Sequence, residues 1–422
     1  MSIMNNNFIT AEMMAENSKN KSKIVEILLK KEPSSTTYQD NINNLPRDIH
    51  DKIVEHYKKL MPSKYVLRDW VPKDKLDWFA LSGNPYASEI LMEQADYENS
   101  LTEEEYDALD KNKKISWMRL CCINCEGVEI LKKYPSKILW SYLSNNCKQQ
   151  AVDMIKERIE YEKINVRDYY DDDDDNRVSV HSFSNNQNPE IMVFVKERIE
   201  YENGLTPEDY DMLEDTEVLD WCYLTENPSA IDILKENPGK IVWSLLSNNT
   251  NPRAIDLLRE RIVQENNMSK KDYKKLGNKI DWASLTTNPN AIELLKEYPH
   301  KIKWEYLSAN PAAIDLLKEN PNAIDWELLS ENPNAIQMLK ENRKQIHWEK
   351  LCKNPNAIKL LKKKSKKINW RALSLNENAH ELIKDRVEYE MSLTPEEYNN
   401  LKYYNKLDWK ILSMNKCIFM LA

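Results

Sequence analysis

Cys122 and Cys125 stand at C-x-x-C spacing, and Cys147 follows Cys125 after 22 residues. Thiolates so spaced could serve zinc, which takes four nitrogen or sulfur ligands in a tetrahedron. No matching second pair completes the set, and the seven cysteines are scattered, so neither a metal site nor a disulfide framework is expected. The six histidines, His50, His56, His181, His300, His347 and His380, never pair at H-E-x-x-H spacing. The 69 carboxylates give no acid/base couple that stands apart from ordinary charged faces. Only five glycines occur, and the nearest two, Gly204 and Gly239, are too far apart for any phosphate-cradling loop. No cofactor and no catalysis are expected from these patterns.

A different chemistry is suggested between residues 340 and 371, where 12 Lys or Arg face two Glu. Lys359, Lys362, Lys363, Lys364, Lys366 and Lys367 form its densest part, a candidate surface for phosphate or an acidic partner. A merely solvated face is the plain alternative. Stacking aromatics are not interleaved with these lysines, so nucleic acid is not the expected ligand. The overall charge of −9 argues the same way. No stretch is apolar enough to cross a membrane, and the polar start MSIMNNNFITAEMMAENSKNKSK lacks a signal-peptide core, so an intracellular protein is expected.

The elements that would position these side chains follow from tryptophan. Trp282, Trp304, Trp326, Trp348 and Trp370 succeed one another every 22 residues, and Trp221 to Trp243 repeats the step. The phrase around each is K-I-D-W-x-x-L-S-x-N-P-N-A-I-x-L-L-K-E-N-P. Asn before Pro is a good helix start, because the Asn side chain caps a free N–H and Pro needs none at the first helical position. In N-P-N-A-I-x-L-L-K this opens a short helix B, which the next N-P ends. Ile324, Trp326, Leu328 and Leu329 then supply the apolar face of a short helix A entered through Asp325. Helices this short are marginal alone, so stacking must hold them.

Five longer intervals carry an insert, as in ERIEYENGLTPEDYDML and DRVEYEMSLTPEEYNNL; where both flanking tryptophans are present the step is 39 residues. Helix B runs on, and Thr206, Thr394 or Ser269 caps a further helix; Thr394 with Glu397 fits a capping box, and Leu393 with Tyr398 a hydrophobic staple. Ile164, Asn165, Asp168 and Tyr169 copy the arrangement. The expected fold is all-α, a right-handed-type α-solenoid of stacked hairpins with 22-residue repeats, some extended to about 39. Its tryptophan core would be Trp78, Trp117, Trp140, Trp221, Trp243, Trp282, Trp304, Trp326, Trp348, Trp370 and Trp409, and with a degenerate unit near Phe183 there are twelve units. Twelve hairpins would extend on the order of 100 Å along a curve.

Three domains are expected: a partly disordered segment 1–44, a segment 45–71, and the array 72–422 with an irregular, kinking loop at 170–188. The segment 45–71 reads as an end cap, or as an adaptor built on Leu45, Pro46, Asp48, Ile49, Ile53 and Trp70. These residues, with Val66 and Arg68, resemble the F-box pattern, which implies recruitment of a host ubiquitin ligase. The C-terminal CIFMLA ends apolar and uncapped, which suggests cover by a partner or a second copy, hence a homo-oligomer, or by its own last unit.

The repeated phrase W-x-x-L-S-x-N-P-N-A-I-x-L-L-K-E-N-P resembles the short tryptophan helical repeats of giant DNA viruses such as the mimivirus group, over about residues 72–422. That resemblance implies a viral protein of the host cytoplasm or the virion, with no known activity and no functional residues to carry over. The expected role is a non-enzymatic scaffold presenting a curved surface to a viral or host protein, with the F-box-like adaptor and a structural virion component as the other readings.

Overall fold

The computed structural model describes residues 65–164 and 176–422. They are all-α apart from two three-residue strands. The sequence around Trp326 shows how one unit forms. Asp325 takes N–H bonds from Glu327 and Leu328 at 2.9 and 3.0 Å and starts the A helix Trp326–Glu331. Asn332 and Pro333 follow, and here the structure corrects the expected hairpin. Asn332 caps a single 3-10 turn, Pro333–Ala335, through the N–H of Asn334, and the B helix starts only at Ile336, ending at Glu341. The other N-P pair, Asn320 and Pro321, likewise forms a turn, Pro321–Ala323, besides ending a helix. Each unit is therefore helix, turn, helix, turn, with helices of about four to six residues in the short units.

In the longer units the B helix is prolonged, as in Ser88–Ser100, Ala254–Asn266 and His380–Ser392, and a capped helix follows. Thr394 and Glu397 close a capping box, as do Thr102 and Glu105, while Thr206 and Ser269 cap their helices on the N–H of Asp209 and Asp272. The Asp168 and Tyr169 copy lies outside the described residues, as does the acidic run. The unit near Phe183 is more regular than its sequence suggested. Ser179 caps the helix Val180–Phe183, Phe183 is buried, and the irregular stretch expected over 170–188 gives way to ordinary repeat geometry by Ser179.

Two sets of side-chain bonds join successive units. The amide of Asn332 donates to the carbonyls of Ser308 and Asn310, both at 3.0 Å; Asn354 does the same to Ser330 and Asn332, and Asn376 to Cys352 and Asn354. The hydroxyl of Ser330 donates to Trp326 O in its own helix and accepts the N–H of His347 in the next unit at 3.0 Å. Ser308 receives Asp325 N–H and Ser374 receives Asp408 N–H in the same way. These amides and hydroxyls are buried, where an unmade bond is costly, so the repeated L-S-x-N letters fix the spacing of the stack.

The array does not end in the open. Asn84 of the first unit donates to Ser413 O of the last at 2.9 Å, and Asp77 N–H meets Ser413 Oγ at 2.9 Å. Strand β1, Tyr65–Leu67, pairs antiparallel with strand β2, Phe419–Leu421, and Arg68 Nε donates to Cys417 O at 3.0 Å. The twelve units thus form a closed circle of contacts, not the extended curve expected from the repeat. The uncapped apolar C-terminus is corrected with it: Cys417, Ile418 and Phe419 are 2%, 0% and 3% exposed, covered by the first unit and its leading strand. A second copy is not needed to shield them.

Candidate interaction surface

The buried positions of each A helix, Leu three residues and Ser four residues after Trp, hardly vary from unit to unit. The positions two and five residues after Trp vary freely. The former include Arg119, Tyr223, Tyr306, Leu328 and Lys350, and the latter Glu226, Glu331, Lys353, Leu375 and Met414. Tyr223, Tyr306, Leu375 and Met414 are exposed. Some of these side chains touch across units: His181 meets Tyr223 edge-on at 5.6 Å, and Lys350 lies 3.7 Å from both Glu327 and Glu331. This row is a circular surface whose chemistry changes at each step while its backbone does not.

The tryptophans have a dual place. Trp78 and Trp282 are buried, whereas Trp117, Trp140, Trp221, Trp243, Trp304, Trp326, Trp348, Trp370 and Trp409 are half-buried, packed on the core by one side. In the longer units the other side carries an arginine. Arg158, Arg261 and Arg386 lie 5.2, 5.1 and 5.0 Å from the rings of Trp140, Trp243 and Trp370. The guanidinium also stacks on a tyrosine, as Arg386 does on Tyr389 at 4.5 Å. It pairs with a glutamate four residues on: Arg158 with Glu162, Arg198 with Glu202, Arg261 with Glu265 and Arg386 with Glu390, at 2.8 to 3.3 Å. Each glutamate then accepts a backbone N–H from just before the next A helix, such as Leu407 N–H on Glu390 at 3.0 Å. The insert is thereby clamped between its own tryptophan and the start of the next unit. R-x-x-x-E in four of the five inserts spells the pair at helical spacing, a signal the repeat phrase does not contain.

The first insert lacks the arginine. Gln94 stands there, giving Glu98 Oε1 a neutral N–H at 3.0 Å and reaching Lys113 O at 3.2 Å, while Ile115 N–H adds a third bond. Glu98 Oε2 is buried without a partner. Burial raises the Glu98 carboxyl above its ordinary value, outweighing the hydrogen bonds that lower it.

The basic stretch sits on exposed surface. Lys359, Lys362, Lys363, Lys364, Lys366 and Lys367 are all exposed at the end of the B helix Ile358–Lys362 and in the turn Ser365–Lys367. Lys362 pairs with Glu381, whose carboxyl is lowered by that bond. Lys363, Lys364, Lys366 and Lys367 have no carboxylate within 4 Å among the described residues.

Among the described residues no three His, Cys, Asp or Glu gather as a metal site, and Cys122, Cys125 and Cys147 are free thiols. Cys121 and Cys352 occupy the Ser position of the ladder, and burial pushes both thiols up to about 11, which leaves them protonated and inert. Of the adaptor residues, Leu45, Pro46, Asp48, Ile49 and Ile53 lie outside the described residues, and Trp70 is half-buried against the core. No helix among the described residues is long and apolar enough to cross a membrane. No protein-family model, curated protein or solved structure matches the chain.

Proposed function

We propose that the protein is a non-enzymatic scaffold, a right-handed-type α-solenoid in 22-residue steps whose circular surface holds a protein partner. The observation that carries this reading is the division of labour within the A helix. Shared Leu, Ser and Asn side chains are spent on the stack, and the positions two and five residues after Trp, which include the exposed Tyr223, Tyr306, Leu375 and Met414, differ from unit to unit. Such variation on a fixed backbone suits recognition of an extended partner surface. The test is affinity purification of the tagged full chain beside a variant carrying Tyr223→Ser, Tyr306→Ser, Leu375→Ser and Met414→Ser. A defined partner lost by the variant, with unchanged circular dichroism, supports the reading; a partner set indifferent to the change sinks it.

The adaptor reading is disfavoured by one observation. Val66 and Arg68, which the F-box-like pattern would use, are engaged in closure, Val66 in strand pairing with Met420 and Arg68 on Cys417 O. Pull-down of the host ligase subunit that receives F-boxes, dependent on Leu45 and Pro46, would restore it. Origin in a giant DNA virus, with action in host cytoplasm or as a virion component, rests on the repeat phrase alone. Proteomics of purified particles tests the virion reading.

A further inference from the structure

The turns that precede the A helices are anchored alike. Asp215–Glu217, Arg343–Gln345 and Ser365–Lys367 each lead into a buried aliphatic two residues before Trp: Leu219, Ile346 and Ile368. Equal anchoring at one repeat position brings all three turns to the same face of the circle. Their charges are opposite. On one arc stand Arg343, Lys344, Lys363, Lys364, Lys366 and Lys367, all exposed, with no carboxylate within 4 Å among the described residues. On the other stand Glu208, Asp211, Glu214 and Asp215, exposed and with no Lys or Arg within 4 Å among the described residues. Beside them Met212 is 83% exposed.

The places of these arcs matter as much as their signs. The acidic arc lies between the unit of Phe183 and that of Trp221, and the basic arc flanks the unit of Trp348. Counting turns around a closed circle of twelve units, the one before Trp221 stands five and six steps from those before Trp348 and Trp370, so the two arcs lie on roughly opposite sides. A two-fold axis in the plane of the circle therefore lays the basic arc of one copy on the acidic arc of another, and the converse contact forms at the opposite side.

We propose that this face is the interface of a face-to-face homodimer, each copy's basic arc docking on the other's acidic arc. The partner is a second copy because both halves of the complement are on one chain, as an isologous contact requires, the basic half in and just before the turns Arg343–Gln345 and Ser365–Lys367 and the acidic half in the turn Asp215–Glu217 and the helix Pro207–Asp211 ahead of it. Unpaired like charges on each arc repel one another in the monomer and find counter-charges in the dimer. This goes beyond the scaffold reading and does not depend on it, and it replaces the C-terminal contact for which closure leaves no need.

Sedimentation velocity of the full chain at low and high salt tests it. The expected result is a dimer at low salt whose dissociation constant weakens by roughly tenfold or more at high salt, since exposed charges are screened. Reversal of the basic arc, Lys363→Glu, Lys364→Glu, Lys366→Glu and Lys367→Glu, yields a monomer. So does reversal of the acidic arc, Glu208→Lys, Asp211→Lys, Glu214→Lys and Asp215→Lys. Mixing the two variants restores a dimer, because one then has two acidic arcs and the other two basic ones. The restored pair also shows that both variants are folded. A wild-type monomer at low salt, a dimer indifferent to either reversal, or variants that stay monomeric when mixed would overturn the proposal. Salt-sensitive binding of an RNA or polyphosphate probe by a wild-type monomer would overturn it too, assigning the basic arc to an anion of another class.

Discussion

The junction between the units of Trp326 and Trp348 and the junction between the last unit and the first are made of the same bonds. In one, Asn354 donates to Ser330 O and His347 N–H meets Ser330 Oγ. In the other, Asn84 donates to Ser413 O and Asp77 N–H meets Ser413 Oγ. They differ in what else holds them. The inner junction has a peptide link and a second amide bond, from Asn354 to Asn332 O, while the seam has neither and gains a short strand pair and Arg68. The interface is thus self-sufficient, and the chain supplies proximity at eleven of twelve junctions.

Truncating a buried leucine on each side of this comparison should have the largest effect. Leu329→Ala and Leu412→Ala each remove a fully buried side chain and should cost about 2 to 5 kcal/mol in urea unfolding. The inner variant loses stability in the main transition. The seam variant should also expose the backbone amides of residues 65–71 and 417–421 to hydrogen exchange first. Uniform exchange in both variants would mean the seam is no weaker than its neighbours. Asparagine gives a smaller, graded contrast. Asn332→Ala removes two buried amide bonds and should cost about 2 to 3 kcal/mol, whereas Asn84→Ala removes one and should cost about 1. Equal losses would remove the second amide bond as the distinguishing element.

The first unit offers a pH test beside the seam. The Glu98 carboxyl is raised by burial, so the folded circle holds its proton more tightly than the unfolded chain. Its contribution is then full below the ordinary glutamate value and is lost as pH rises through the raised folded value. Gln94→Arg supplies the clamp that Arg386 gives Glu390. It should stabilise at neutral pH by on the order of 1 kcal/mol and flatten the dependence of melting temperature on pH between the two values. An unchanged pH profile would show that Glu98 is not the group responsible. The smallest effect belongs to Cys352→Ser, which restores the hydroxyl found at this rung in most other units and should stay within about 1 kcal/mol of wild type by chemical denaturation; a larger loss would mean that the thiol is not a stand-in.

Much of this was legible in the letters. The tryptophan step, the Asp and Asn caps and the Thr394–Glu397 box all follow from local rules that need no knowledge of distant contacts. The ladders were half legible: Ser and Asn recur at fixed places, but a recurring polar letter reads as a cap until its burial is known. Closure was illegible, because nothing in a repeat phrase states how much each unit turns relative to the last, and the sum of twelve small rotations decides whether the ends meet. The apolar CIFMLA stands out in the sequence, but that the first unit covers it does not, for the same reason. The glutamate clamps were hidden differently, since R-x-x-x-E on a helix usually marks an exposed pair and here is mostly buried.

The seam joins Asp77 to Ser413, 336 residues apart in sequence, whereas most inner bonds span 17 to 42. Neighbouring units can therefore assemble as soon as the ribosome delivers them, each new hairpin condensing on the one before. The first unit is the exception. Its outward side, with Leu81 and the amide of Asn84, must wait wet until a partner unit 329 residues further along the chain has been made. Because closing a loop grows costly only slowly with its length, the wait sets a time and not a prohibitive barrier. During it, two nascent chains on one message can exchange last units, so the geometry that seals one copy is also the route by which crowded copies link into chains.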